Sequence, residues 1–81
     1  MKIGERIKII FKELPKQYDI KWFAARLHCE PRNIYRIFEK ENIDIVQLDN
    51  ISRILNHNFF YDLAKSFEEN WQSGSSVNNT K

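Results

Sequence analysis

Residues 19–38 read Asp-Ile-Lys-Trp-Phe-Ala-Ala-Arg-Leu-His-Cys-Glu-Pro-Arg-Asn-Ile-Tyr-Arg-Ile-Phe, and their order decides the fold. Asp19 is a good N-cap, because its carboxylate accepts hydrogen bonds from the first free backbone N–H groups of a helix. Tyr18 and Phe23 stand where a hydrophobic staple is expected. Ile20, Phe23, Ala24 and Leu27 supply a buried stripe, so a short helix ends near Leu27. His28 and Cys29 form a tight connection. Glu30 takes the next cap position, and Pro31 follows at the first helical position, where its missing N–H costs nothing. Ile34, Ile37 and Phe38 give this helix an apolar face as far as Glu39 or Lys40. Two short helices joined across about three residues cannot lie antiparallel. They cross steeply, in a helix-turn-helix arrangement.

The rest of the chain is also helical in pattern. Ile3, Ile7, Ile10, Phe11 and Leu14 recur at helical spacing and predict a first helix over 2–14, closed by Pro15. Asp44 caps a fourth helix with Ile45, Leu48, Ile51 and Leu55, and Asn56 suits its left-handed close. Asn58 caps a fifth, whose stripe is Phe60, Leu63, Ala64, Phe67 and Trp71. The fold class is therefore all-α, a compact bundle of about five short helices. One domain is expected over 1–71, with its helix-turn-helix core at 19–39, and a flexible polar tail over 72–81. No internal repeat or strand-like alternation is visible.

At 81 residues, 42% hydrophobic and 14% aromatic, the chain supports one small core. Cys29 is the single cysteine, so no internal disulfide framework exists and a reducing compartment, the cytoplasm, is expected. No apolar run reaches the ~20 residues of a membrane span, and the N-terminus carries no signal-peptide pattern. His28 and His57 lack a second ligand at metal spacing. Cys29 reads as a structural thiol rather than a nucleophile. Glu68 and Glu69 read as a solvated face. No glycine-rich phosphate loop or serine-hydrolase motif appears, and no substrate pocket is expected in so short a chain. The expectation is therefore a non-enzyme, with no cofactor, metal or small-molecule substrate.

The whole chain carries +2, yet Ile20 to Lys40 alone carries a surplus of three positive charges from Lys21, Arg26, Arg32, Arg36 and Lys40 against Glu30 and Glu39. Such a segment fits a localised anion-binding face; on charge alone it fits an ordinary solvated surface equally well. The helical wheel is more informative. Arg32 and Arg36 fall one turn apart, opposite Ile34, Ile37 and Phe38, with Asn33 and Tyr35 on the flanks and Lys40 beyond. Arginine grips guanine bidentately, asparagine grips adenine, and a ring touches a thymine methyl. The short preceding helix and tight turn favour this reading over a plain solvated face. Trp22 is assigned to packing ahead of stacking on sugar-phosphate.

Residues 20–38 resemble the helix-turn-helix of the lambda-repressor-like, Cro/cI-type (XRE family) DNA-binding domains. The matching positions are the small Ala24, with apolar Phe23 before it and Leu27 closing the helix, and the apolar Ile34 of the recognition helix. The fourth helix, Asp44 to Leu55, also fits the family pattern, and the likeness spans about Ile3 to Leu55. The resemblance implies that Arg32, Asn33 and Arg36 contact bases and that Lys21 contacts phosphate; Tyr35 and Lys40, on the same outward face, are expected on the DNA backbone. Several positions depart from the family. Pro31 and Ile20 replace polar side chains that touch DNA in many members. His28 replaces the usual turn glycine. The Glu30 carboxylate is expected to fold back onto the helix N-terminus, where the dipole favours it.

The implied function is a sequence-specific regulator of transcription, a repressor, that binds double-stranded DNA. Phe67 and Trp71 are the expected contact of a homodimer on a near-palindromic operator; the alternative is a monomer whose last helix only closes the core. A different class of function is a protein-interaction module of antitoxin or adaptor type, working through the aromatic fifth helix.

Overall fold

The computed structural model describes residues 1–74. Five helices run in order: α1 (Ile3–Lys12), α2 (Ile20–Leu27), α3 (Pro31–Phe38), α4 (Ile45–Leu55) and α5 (Phe59–Gly74). Among the described residues there is no strand, and the chain is a small all-α bundle. No described helix is long and apolar enough to cross a membrane.

Three caps form as the sequence requires. The backbone N–H of Trp22 donates to Asp19 Oδ1 at 2.9 Å, that of Gln47 to Asp44 Oδ1 at 2.8 Å, and that of Tyr61 to Asn58 Oδ1 at 3.0 Å. The ends of α2 and α4 close alike. His28 (φ 60°) and Asn56 (φ 55°) are both left-handed. Cys29 N–H then donates to the Ala24 carbonyl at 2.9 Å, and His57 N–H to the Ser52 carbonyl at 3.0 Å. Both are Schellman closures that satisfy otherwise orphaned carbonyls.

The core gathers Ile3, Ile7 and Phe11 from α1, Phe23 and Ala24 from α2, and Ile34, Ile37 and Phe38 from α3. Leu48, Ile51 and Leu55 from α4 and Phe59 from α5 complete it. Phe11 is its hub, with ring centroids 5.2 Å from Phe23 and 5.9 Å from Phe38. Helix α2 packs on both α3 and α4, and α1 packs on α3.

At the start of α1 the contact with the end of α3 is made by backbone. Gly4 N–H donates to the Lys40 carbonyl at 2.9 Å, so free donors at the start of α1 meet carbonyls just past the end of α3. A Cβ at Gly4 would collide with the carbonyl oxygens of Ile37 and Phe38 and, at 2.8 Å, with the Lys40 nitrogen. All three obstacles are main chain and cannot swing aside.

Helix α5 joins the body by its first two turns. Phe59 is fully buried, and Leu63 packs partly against the core. Asp62, with a side chain 11% exposed, accepts from Arg6 Nε at 3.0 Å and from His57 Nε2 at 2.7 Å. Burial pushes the Asp62 carboxyl up, but the hydrogen bonds and charges of His57 and Arg6 outweigh it and hold the group below its ordinary value.

Several details differ from expectation. Helix α1 stops at Lys12, two residues early. Tyr18 meets Trp22 edge-on at 4.9 Å in place of a staple to Phe23. Ile45 is 72% exposed, because the first turn of α4 runs clear of the core. Of the stripe expected on α5, Leu63 packs against the core while Phe60 and Ala64 do not; Phe67 and Trp71, expected as a contact outside the core, are 63% and 48% exposed. The packed residues Phe59, Asp62, Leu63 and Ser66 centre about 120° around the helix from Phe60, Ala64, Phe67 and Trp71. Residues 72–74, expected as tail, continue α5; the remaining expected tail, 75–81, lies outside the described residues.

Two outcomes follow from these contacts. Gly4→Ala should lower stability by about 1–3 kcal/mol through overpacking, read by thermal melting followed by circular dichroism. Asp62→Asn should cost about 2 kcal/mol at neutral pH. A carboxyl whose folded pKa is depressed stabilises fully above its unfolded pKa and loses that contribution as pH falls through the folded value. The gap between Asp62→Asn and the parent should therefore close in acid, measured by urea unfolding at two pH values.

Candidate nucleic-acid interface

Helix α3 is short, and its two faces differ sharply. Ile34, Ile37 and Phe38 are buried; Pro31, Arg32, Tyr35, Arg36, Glu39 and Lys40 are exposed. Arg32 and Arg36 stand about 6 Å apart along the axis, since each residue rises about 1.5 Å. No other part of the described chain covers them. The Arg32 side chain is 73% exposed and touches only the Glu30 carboxylate, at 3.5 Å, itself 71% exposed. A pair this long and this wet is weak and leaves the guanidinium free to exchange partners.

Glu30 corrects an expectation. Its backbone occupies the cap position, but its carboxylate makes no capping hydrogen bond. It leans instead to the Arg32 guanidinium, 3.5 Å away.

The flanks of α3 differ in character. On the side toward α4, Asn33, Arg36 and Lys40 line a groove of about 220 Å³ with Cys29, Ile37 and Gln47. Asn33 is half-buried, whereas Arg32 and Arg36 are exposed. Ile45 and Val46, 72% and 70% exposed, stand beside this groove at the start of α4. On the side toward α1, Tyr35 is 56% exposed and its ring meets Phe38 edge-on at 6.2 Å. Lys21 is exposed in the first turn of α2. The structure thus brings Arg32, Arg36, Tyr35 and Lys40 onto one outer surface, with Asn33 at its edge.

Trp22 packs partly against the core, with Tyr18 on one side and the Arg26 guanidinium 5.8 Å from its ring centroid. Cys29 is half-buried, and burial followed by the Glu30 charge pushes its thiol up, which keeps it protonated and unreactive. Among the described residues no cluster of His, Cys, Asp or Glu is arranged to hold a metal.

One feature beside α3 escapes a reading of the helix-turn-helix stretch alone. Lys8, Lys12 and Lys16 recur every four residues and, with Tyr18 and Tyr35, border a groove of about 460 Å³ between α1 and α3. The signal was the lysine spacing, outside the stretch that carries the fold. Comparison with protein-family models, with curated proteins and with solved structures finds no match for this chain.

Proposed function

We propose that this protein is a sequence-specific double-stranded DNA-binding domain of lambda-repressor-like, Cro/cI type that regulates transcription, acting as a repressor in the cytoplasm. One observation carries the reading: Arg32 and Arg36 project together from the outer face of a short helix whose opposite face is wholly buried. A helix so presented fits the major groove, which is about 12 Å wide. Arg32 and Arg36 read bases, Asn33 contributes from the edge, and Lys21, Tyr35 and Lys40 hold the sugar-phosphate backbone. The apolar Ile20 and Pro31 supply no polar contact, so the two arginines carry most of the discrimination.

The exposed stripe of α5 supports a homodimer. Phe67 and Trp71 stack at 5.6 Å with planes 26° apart, on a helix whose distal turns touch nothing else among the described residues that would bury them. A two-fold contact there would place two α3 helices on successive major grooves, about 34 Å apart, on a near-palindromic site. The same stripe favours a second reading, in which the chain is an antitoxin- or adaptor-type interaction module and α5 carries the function.

Selection of bound sites from random duplex DNA tests the first reading, and enrichment of one motif is the expected result. Arg32→Ala with Arg36→Ala should erase that preference, a loss of roughly 1–3 kcal/mol of discrimination for each bidentate contact, with helicity unchanged. A chain that enriches no motif yet captures a protein partner through α5 would move the assignment to the second reading. For the dimer, sedimentation equilibrium should show self-association in the parent chain and a monomer for Phe67→Ala with Trp71→Ala. A parent monomer at high concentration on DNA and off it would remove the two-fold contact.

A further inference from the structure

We infer that the row Lys8, Lys12 and Lys16, with the Tyr18 and Tyr35 hydroxyls, is a docking track for the phosphates of one DNA strand alongside α3. The inference rests on the duplex-binding reading above and extends it to α1 and the α1–α2 loop, which that reading leaves without a role.

The three lysines are exposed, and none of the ion pairs among the described residues uses them. Lys8 and Lys12, one helical turn apart on α1, repel, and Lys16 adds a third charge from the α1–α2 loop, so an unneutralised row of this kind is a surface that gains from a polyanion. The one acid on the groove lining, Asp19, has its Oδ1 engaged by the Trp22 N–H. Tyr18 and Tyr35, 37% and 56% exposed, add hydroxyl donors.

Position selects the strand as ligand. Tyr35 belongs both to this groove and to the outer face of α3. A helix of about 10–12 Å diameter that fills a major groove about 12 Å wide brings whatever borders it against a phosphate backbone. Chemistry argues the same way. Of the apolar residues that line the groove, Phe11 and Phe38 form a floor only 7% exposed at each residue, with Leu14, Pro15 and Ile20 beside them. The rim offers what phosphodiesters take: cations and hydroxyls.

The test is the salt dependence of duplex binding, measured by fluorescence anisotropy across a potassium chloride series. Each phosphate contact adds about 0.9 to the negative slope of log K against log salt. Lys8→Ala, Lys12→Ala and Lys16→Ala together should flatten the slope by ~2.7 and weaken binding by a similar factor on every sequence, leaving motif preference intact. The exposed positions make these variants foldable, checked by an unchanged melting curve. A triple variant with the parent's slope, on a chain that still binds its motif, would overturn the track and leave the duplex-binding reading standing. A parent chain with no salt-dependent duplex binding would overturn both. Equal loss when inorganic phosphate alone is titrated in place of DNA would mark a small-anion site and also overturn the strand assignment.

Discussion

The close passage of α1 over the end of α3 is the constraint on which the rest of the arrangement depends. Two backbones meet there with no side chain between them, at Gly4 on one helix and at Ile37, Phe38 and Lys40 on the other. The contact fixes the height of α3 above the core and its tilt, since a shift of either helix would open hydrogen bonds between groups already removed from water. Ile34, Ile37 and Phe38 then drop into the space between α1, α2 and α4, and the remaining faces of α3 have only one way to point. The outward pair Arg32 and Arg36 is thus a by-product of a glycine nearly thirty residues earlier.

Charge is distributed with the same economy. A net +2 would not draw the chain to a polyanion. Its four aspartates, however, are all engaged in structure. Asp19 and Asp44 close helix starts, Asp62 ties α5 to Arg6 and His57, and Asp49 holds Arg53 at 3.0 Å. Lys8 and Lys12 of α1 and Arg32 and Arg36 of α3 are left facing solvent. Local field, rather than total charge, gives this small domain its polarity.

Much of the fold was legible in the residues because the governing interactions are local. Asp19, Asp44 and Asn58 act on N–H groups three residues away, and His28 and Asn56 turn the chain within one residue, so each could be placed from its neighbours alone. The outward face of α3 was legible for the same reason, since an eight-residue helix with three apolar positions has one orientation. Long-range choices were not legible. Gly4 looks like any glycine until α3 lies across it. On α5 the packed face was legible only in part, because the body is satisfied by Phe59, Leu63 and the Asp62 pair, and Phe60 and Ala64 are left outside. The Glu30 carboxylate had two partners within reach, the helix start and Arg32, and spacing does not rank them. Likewise the lysine row acquires meaning only once α1 is seen beside Tyr35.

The way α5 is fastened has a mechanical consequence. Its first two turns share the stability of the core, while Phe67 to Trp71 continue as a short exposed rod that adds nothing to the core. A helical segment that short gains too little from its own hydrogen bonds to persist in water by itself. Its opening is therefore a local event, far cheaper than unfolding the bundle, and it leaves α3 undisturbed. Whatever covers Phe67 and Trp71 must supply the ordering energy of this rod, so the affinity of that contact is set by how often the rod is already straight when the encounter occurs.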